Sequence, residues 1–476
     1  MLALAFSFYV FLYWVLLGRA VISLVYSRIG VLRGWLLAPG IGLSVLLLGL
    51  MVFNQAGVPI KAFAMPLTMI LGVVALGVVG WKRPLAPTRK LLPYFAAVAL
   101  SCLWTGWPAL ETGWNWISYA NDDMANYCLA AQRFMDHGFY AVPTRAELAG
   151  RDYASYYFFM HVADMMRFGA EHLVAWGASV GRVQATQAFM PLIIALGLAQ
   201  IFSAGALALH IGRWRRHALL TVWVLAISPL FMLGTLYQLI AQVGGIALLL
   251  TCIALLLRPW TTVHRRVLMR YAVLPAITSA ALCIFYPEVT PFVVLTFGGF
   301  AALWTVRHRT MPQGLIIVGI YTLLGVVILL RHNLISYVSI LIVQSGGALN
   351  AANLLLSLFP YFMIPTGFSN LFGWMPISHD FPEPVVSASI VVGMLVMAVI
   401  LIRSIRQAWR LSPIALLLLL QFALAVRLFI AANDFGLYKL AMWMQPALAA
   451  GVASLLLWLL RQRMAAVIAV LTVYAA

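Results

Sequence analysis

Residues 34–53 have the sequence GWLLAPGIGLSVLLLGLMVF, without a single charged side chain. Twenty residues of α-helix rise about 30 Å, which is the thickness of the hydrocarbon core of a bilayer. A strand of a membrane β-barrel would instead alternate apolar and polar residues in pieces of about ten. The stretch therefore predicts one membrane-spanning α-helix.

Windows of the same kind recur along the chain, and the composition agrees with them. Hydrophobic residues make up 64% of the 476 positions and charged residues 9%, whereas a soluble domain carries about a quarter charged residues. A soluble enzyme and a disordered chain are thereby excluded. The predicted fold is an all-α polytopic membrane protein with about 13 transmembrane helices. Their windows are 1–17, 34–53, 62–81, 91–108, 188–211, 218–235, 238–257, 271–286, 290–306, 314–331, 385–402, 412–430 and 436–459.

The two ends of the chain need separate arguments. The first window has neither a basic leading region nor a small-residue cleavage site, which favours a true span over a signal peptide and places the N-terminus outside. The last apolar stretch, 464–476, is too short to cross a bilayer alone.

The net charge of +18 comes from short basic clusters between the apolar windows. Topology determinants and anionic-lipid contacts are placed in this way, so nucleic-acid binding is not predicted. Alternate connections hold 21 of the 30 Lys and Arg residues, which assigns those connections to the cytoplasmic side. All 12 acidic residues then fall on the external side. We therefore expect the chemistry on that side.

The predicted topology divides the chain into five segments. They are a four-span segment (1–108), an external loop (109–187), a six-span core (188–331), a re-entrant and external segment (332–384) and the C-terminal spans (385–476). The cytoplasmic connections are too short for a nucleotide-binding domain, and neither GxxxxGK[ST] nor a strand-borne GxGxxG occurs. These absences disfavour an ATP-driven pump and a soluble nucleotide-sugar enzyme. Four Cys residues without ligand spacing support neither disulfides nor a zinc site.

The first external loop contains NDDMANYCLAAQRFMDHGF from Asn121, with apolar residues at helical spacing. The stripe consists of Met124, Tyr127, Cys128, Ala131, Phe134 and Met135. It predicts an amphipathic helix with Asn121 or Asp122 as the N-cap and Gly138 as the stop. A second aromatic-rich amphipathic stretch, YASYYFFMHVADMMRF, occupies 153–168. Helices of this kind can lie at a membrane interface.

The second external segment holds two apolar pieces, 334–343 and 351–364, on either side of the polar sequence QSGG at 344–347. Neither piece is long enough to span alone, so we predict a re-entrant hairpin that is broken at 344–347. The polar loop GWMPISHDFPEP follows and carries His379 and Asp380 as further candidate site residues.

Asp122 and Asp123 open the predicted amphipathic helix just beyond a membrane span. The helix dipole and the free amides of the first turn favour the ionised form of both carboxylates. Such a pair can deprotonate a hydroxyl nucleophile or hold a divalent cation. The alternative is N-capping alone, which needs only one of the two. Glu288, in the turn YPEVTP, is a further acid near the membrane, and a solvated turn residue is the alternative there.

Cations at or inside the external ends of spans are candidate phosphate ligands. They are Arg331, His332, Arg427 and Lys439. Intramembrane cations are costly and usually face an interior, a partner or a ligand. Together they are predicted to bind a lipid-linked phosphate. The alternative is snorkelling, or pairing of Arg427 or Lys439 with Asp434.

Residues 121–182 resemble the first external loop of GT-C-fold membrane glycosyltransferases of the protein mannosyltransferase and lipid A aminoarabinose transferase type. That loop has an acidic pair, a Tyr, an Ala-rich helix, a Gly, a Pro, a Tyr-rich stretch and an Arg at the next span. The matching positions are Asp122, Asp123, Tyr127, Ala130, Ala131, Gly138, Pro143, Tyr153, Tyr156, Tyr157 and Arg182.

The resemblance implies an inverting transferase that uses polyprenyl-phosphate sugars on the external face of the bacterial inner membrane. Asp122 would be the catalytic carboxylate and Asp123 its polar partner. A cation among the phosphate ligands above would stabilise the departing lipid phosphate. The acceptor would be a glycan, a lipid or a protein. No cofactor is required, although the acid pair offers a site for a divalent cation.

Two other functions stay open. An O-antigen polymerase or ligase also places cations and a large loop outside, but depends more on Arg and His than on an acidic pair. A lipid-linked glycan transporter or flippase would have broken helices in both halves of the chain. Only one broken element, at 344–347, is found in the sequence.

Overall fold

The computed structural model describes residues 1–26, 29–82, 89–119, 122–209, 215–258, 264–331, 333–350, 360–374 and 381–461. Within these ranges, the side chains of Asp122, residues 344–350, Pro360 and Arg461 are not described. All regular elements of the described ranges are helical, with no strand among them. The all-α prediction is therefore confirmed.

The first half of the chain places four long helices before the external loop and one after it. The long helices are α1 (Leu2–Val25), α2 (Val31–Gln55), α3 (Ile60–Lys82) and α4 (Leu92–Gly106). The loop holds α5 (Ala109–Thr112), α6 (Asp122–Asp136), α7 (Arg145–Ala149), α8 (Tyr153–Phe158), a π-helical turn (Phe159–Ala163) and α9 (Gly169–Gly181). After the loop comes α10 (Ala185–Ala208).

The second half of the chain follows the same pattern of long apolar helices. Its first part comprises α11 (Arg215–Ala226), α12 (Pro229–Leu236), α13 (Ile240–Leu256), α14 (Arg265–Phe285), α15 (Thr290–His308) and α16 (Gln313–Leu330). The remainder comprises α17 (Asn333–Asn350), α18 (Gly367–Asn370), α19 (Glu383–Trp409), α20 (Pro413–Ile430) and α21 (Asp434–Arg461).

The number of spans is smaller than the sequence predicted. Among the described residues, 10 helices are long and apolar enough to cross a membrane, or 12 if each of two bent pairs counts as one span. The remaining predicted span is α13, whose 17 residues reach only about 25 Å. About 13 spans is therefore too many by length, although every predicted window coincides with a helix. The chain is a multi-pass integral membrane protein.

A proline lies at the break of each bent pair. The chain turns by 77° between α4 and α5, where Pro108 follows α4, and by 52° between α11 and α12. At the second bend, Ser228 caps α12 by accepting a hydrogen bond from the Phe231 amide at 3.3 Å, and Pro229 is the first helical residue. A proline has no amide hydrogen to extend the hydrogen bonds of the preceding helix, and its fixed φ suits the first turn of the next one.

The connections gather at two opposite ends of the bundle, as the charge pattern predicted. At the acid-bearing end, hydrogen bonds join Met1 to Ala109, Tyr119 to Leu236 and Gln55 to Asn333. At the basic end, hydrogen bonds join Tyr94 to Arg215, Arg270 to Leu24 and Arg307 to Trp409. The helices therefore alternate in direction as a serpentine membrane topology requires, and the acid-bearing end is the predicted external one.

The predicted amphipathic helix is confirmed as α6, and its whole apolar stripe is buried. The stripe packs against α9, which lies inside the bundle in contact with α2, α3 and α10. All residues from Gly169 to Ala178 are buried, including Trp176, whose Nε1 donates to Thr68 at 2.8 Å. The external loop therefore includes a core helix that the sequence analysis did not predict.

The predicted break at 344–347 is wrong. Helix α17 continues through these residues and ends at Asn350. Gly and Ser lower helix propensity by only about 1 kcal/mol per residue or less, so they do not by themselves stop a helix. Of the second arm of the predicted hairpin, at 351–364, residues 351–359 lie outside the described residues.

Candidate functional site

A buried cation, Arg167, joins separate parts of the chain at the acid-bearing end. Its guanidinium forms an ion pair with Glu288 and donates a hydrogen bond to the Tyr127 hydroxyl at 3.0 Å. The Tyr286 ring lies 5.5 Å from the guanidinium carbon. These residues come from α6, from the segment before α9 and from the turn between α14 and α15. With Asp123 and Lys439, they form what we call the Arg167 cluster.

Local structure explains why these side chains meet. Tyr127 belongs to the apolar stripe of α6, and its ring lies 6.3 Å from that of Phe189 in α10. The chain leaves the π-helical turn and runs to α9, where the Phe168 amide donates to the carbonyl of Ile284 at 3.4 Å. This bond fixes Arg167 beside the end of α14. The turn that follows α14 carries Tyr286 and Glu288.

The ion pair is shielded from solvent, since the side chains of Arg167 and Glu288 are 18% and 13% exposed. Burial opposes the charge on Arg167, but the surrounding Tyr127, Glu288 and Tyr286 hold its pKa well above its usual value. Burial raises the pKa of Tyr127 to about 12. At neutral pH the cluster therefore holds a guanidinium and a neutral phenol.

Two predicted site residues, Asp123 and Lys439, complete the cluster. The charges that act on Lys439 are those of Arg167, Glu288 and Asp123. Lys439 is half-buried on α21, with its ammonium 4.3 Å from the Phe435 ring centre. Asp123 is exposed in the first turn of α6. The cluster thus contains two cations and two carboxylates that interact electrostatically, one of the carboxylates in the first turn of α6.

The structure excludes the solvated-turn alternative for Glu288, because its carboxylate is buried and paired. Arg331 and Arg427 are where the sequence placed them, just after α16 and within α20, and both are exposed. Neither of them forms an ion pair within the part of the chain that the structure describes. His332, His379, Asp380 and the side chain of Asp122 lie outside the described residues.

The sequence analysis missed Arg167, the centre of the cluster. It lies at the end of the aromatic stretch 153–168, between Met166 and Phe168. A lone cation in such surroundings requires a partner, and this is the signal by which it could have been selected. The resemblance pointed instead to Arg182, which is exposed in a left-handed conformation at the end of α9.

A second set of buried polar side chains, His161, Glu171 and His172, packs against α6. His161 Nε2 lies 3.5 Å from Glu171 Oε1, and its Nδ1 donates to the Tyr157 carbonyl at 2.8 Å. His172 donates from Nδ1 to the Phe168 carbonyl at 2.8 Å. Burial lowers the pKa of His172 to about 3, so its ring is neutral. Phe134 of α6 packs against both histidine rings.

Two cavities flank α21 at this end of the bundle. The larger has a volume of about 1060 Å³ and is lined by Tyr119, Trp374 and Tyr438 among others. Tyr119 precedes Asp123 by four residues and Tyr438 directly precedes Lys439, so this cavity and the Arg167 cluster take residues from neighbouring positions of the chain. The smaller, of about 380 Å³, lies between α20 and α21 and has an apolar lining.

The chemistry of the site is that of charge stabilisation beside a solvent-exposed carboxylate. Arg167 and Lys439 offer guanidinium and ammonium groups to an anion, and Asp123 lies at the edge of the same group. In the described ranges, no group of three or more His, Cys, Asp or Glu side chains is placed to hold a metal ion. Comparisons of the chain with family models, curated proteins and solved structures gave no match.

Proposed function

We propose that the protein is a membrane glycosyltransferase that moves a sugar from a polyprenyl-phosphate donor to an acceptor hydroxyl. The reaction would take place at the acid-bearing end of the bundle, on the external face of a bacterial inner membrane. The observation that carries the proposal is the Arg167 cluster, in which Arg167 pairs with Glu288 and donates to Tyr127 of α6, the helix that begins with the acid pair. The resemblance of residues 121–182 to GT-C enzymes supports the same assignment.

Each group in the cluster has a role in the proposed reaction. The acceptor hydroxyl attacks the anomeric carbon, the bond from that carbon to the phosphate oxygen breaks, and polyprenyl phosphate leaves. Asp122 accepts the proton of the hydroxyl as general base, with Asp123 as its polar partner. Lys439 and Arg167 stabilise the negative charge that develops on the departing phosphate.

Buried cations suit this task because a low-dielectric site strengthens their interaction with an anion. Glu288 and Tyr127 hold the guanidinium of Arg167 in one orientation before the donor binds, which reduces the reorganisation required during the reaction. The apolar cavity between α20 and α21 suits the isoprenoid chain, since its lining side chains are hydrophobic. Arg331 and Arg427, exposed at the same end, would act on the donor only during its approach.

The decisive experiment compares Asp122→Asn with Asp136→Asn in purified protein. Asn is nearly isosteric with Asp and caps helices equally well, so α6 should remain folded in both variants. Loss of a general base should reduce sugar transfer from a polyprenyl-phosphate donor by about 10²-fold or more. Asp136 is exposed at the far end of the same helix, so its variant should keep wild-type turnover. Asp123→Asn should cost less than Asp122→Asn.

Asp122→Asn, together with the further variant Arg167→Gln, separates the alternative functions. A transporter or flippase would move the lipid-linked sugar across the bilayer without hydrolysing or transferring it. In that case Asp122→Asn would reduce the flux of the lipid-linked sugar in proteoliposomes, and no sugar transfer would be measured in the wild type. A polymerase or ligase that depends on Arg and His would tolerate Asp122→Asn but not Arg167→Gln. Full transfer activity in Asp122→Asn would reduce the acid pair to a helix cap.

A further inference from the structure

The larger cavity has a lining rich in aromatic residues. Its aromatic wall consists of Tyr119, Tyr361, Phe362, Trp374, Phe381 and Tyr438. The rest of the described lining contains the polar side chains of Asn370 and Ser389 and no charged residue, and is otherwise Gly373 and the aliphatic residues Pro229, Leu230, Leu233, Pro384, Val385, Ala388 and Val392. A volume of about 1060 Å³ is at the upper end of the range for small-molecule sites. The cavity therefore suits a sizeable, uncharged ligand.

The wall of this cavity is held in place by several neighbours. Ser369 and Ser389 share a hydrogen bond of 2.9 Å between the segment around α18 and α19. Gln445 of α21 donates to the Leu371 carbonyl at 3.1 Å. Gly373 has φ +70°, and a Cβ there would lie 2.6 Å from the Pro229 ring. Only glycine can come this close to Pro229. The close contact at Gly373 therefore fixes the backbone from which the side chains of Asn370 and Trp374 project.

The lining also carries polar groups. Tyr119, Tyr361, Tyr438 and Ser389 contribute hydroxyl groups, and Asn370 contributes an amide. Among the described residues, Asn370 Oδ1 and Trp374 Nε1 have no hydrogen-bond partner, but protein atoms shield both from solvent, so neither faces the open space of the cavity. The hydroxyl groups are therefore the main hydrogen-bonding groups of the lining.

The neighbouring smaller cavity provides a contrast within the same molecule. Its lining includes Met363, Ile364, Met394, Phe422 and Val426, and no described side chain of its lining contains oxygen or nitrogen. That composition suits a hydrocarbon chain. The larger cavity combines aromatic faces with tyrosine hydroxyls and an amide, which suits a ligand that has apolar faces and hydroxyl groups at its edges. A pyranose ring has both.

We infer that the larger cavity binds an uncharged saccharide, with pyranose rings stacked on its aromatic wall. Tyr119 and Tyr438 of its wall are close in the chain to Asp123 and Lys439, and we propose that a hydroxyl of the bound saccharide reaches the Arg167 cluster. The further assignment of this saccharide as the sugar acceptor rests on the proposed function. Of the three acceptor classes that the sequence left open, the cavity favours a glycan over a lipid or a protein.

Saccharide binding can be measured without any transfer reaction. The protein is placed in lipid nanodiscs, since detergents with sugar head groups would compete for the cavity. Saturation-transfer NMR titrations use the neutral trisaccharides maltotriose and mannotriose, with trigalacturonate as an acidic probe and decanol as an apolar competitor. We expect saturable binding of at least one neutral trisaccharide, with trigalacturonate weaker and decanol without effect.

The test variant is Trp374→Leu, which removes a stacking surface and should weaken trisaccharide binding about tenfold. Trp374→Phe retains an aromatic face and should bind more tightly than Trp374→Leu, which guards against a folding defect. Trp104→Leu is the matched control, because Trp104 is exposed on α4 and does not line the cavity. Absence of saturable binding, equal affinity in Trp374→Leu, or displacement by decanol would each overturn the inference.

Failure of this inference and failure of the proposed function give different results. Trisaccharide binding without any sugar transfer would support the saccharide site but contradict the transferase function. Sugar transfer with an unchanged acceptor KM in Trp374→Leu would support the transferase function but show that the cavity is not its acceptor subsite.

Discussion

Arg167 and Glu288 form a buried ion pair although 121 residues separate them in the chain. The pair connects the external loop to the turn between α14 and α15, and it positions the guanidinium beside Tyr127 of α6. Desolvation of two charges is costly, so such a pair is weak evidence for stability by itself. Its location beside the acid-bearing helix is what makes it a candidate for phosphate recognition.

Glu288→Gln should destabilise the protein strongly, because it leaves the Arg167 guanidinium buried without its counter-charge. Breaking a buried pair in this way costs about 3–5 kcal/mol. The double variant Arg167→Met with Glu288→Gln should recover part of that loss. Thermal unfolding of the wild type, Glu288→Gln, Arg167→Met and the double variant in one detergent measures the coupling. Glu147→Gln is the control, since Glu147 lies 3.6 Å from His137 at a site where the two side chains are 28% and 33% exposed. Additive single and double effects at Arg167 and Glu288 would contradict the prediction.

The neutral state of His172 predicts a pH-dependent contribution to stability. Burial lowers its pKa from 6.5 to about 3, so the unfolded chain binds more protons at His172 between these values. Stability from this residue is therefore complete above about pH 6.5 and is lost as the pH falls, by about 1.4 kcal/mol per unit. The difference in melting temperature between wild type and His172→Gln, followed from pH 7.5 to 4.5, should shrink or reverse as the pH falls. Parallel curves would show that His172 titrates normally.

Gly138 allows α6 to end against the turn between α2 and α3. A Cβ at this position would lie 2.6 Å from the backbone of Gly57, so Gly138→Ala should destabilise the protein by about 1–3 kcal/mol. Gly77→Ala is the matched control, because a Cβ there meets nothing within 4 Å in helix α3, and alanine favours a helix over glycine. Thermal unfolding checks both, and increased maleimide labelling of buried Cys128 would locate the damage at α6. Equal stability of the two variants would contradict the close approach.

The membrane orientation can be tested by cysteine labelling from outside intact cells. All four native cysteines are buried, so the wild type provides a low background. We expect Gly150→Cys, in the external loop, to react with an impermeant maleimide and Arg265→Cys, at the start of α14, to react only after lysis. The basic clusters require this result because cytoplasmic connections carry the excess of Lys and Arg. Labelling of position 265 in intact cells would reverse the topology and move the proposed site to the cytoplasm.

Part of the site was predictable because helical periodicity is a local property. The six residues of the stripe from Met124 to Met135 are all buried in α6, as their spacing indicated. A helix turns through a fixed angle per residue, so spacing alone determines which side chains share a face. The same argument predicted that the acid pair would begin this helix. It could not predict that α9 is the element on which the stripe packs.

Hydropathy, charge and helical period were sufficient to predict that the chain crosses a membrane many times, that its acidic residues lie at one end and that α6 is amphipathic. Each of these properties can be calculated from residues that are close together in the chain. The pairing of Arg167 with Glu288, the position of α9 in the core and the continuation of α17 through 344–347 became known from the three-dimensional structure. Contacts between distant segments depend on how whole helices pack against each other. A local sequence pattern therefore cannot predict which residue will pair with a buried charge.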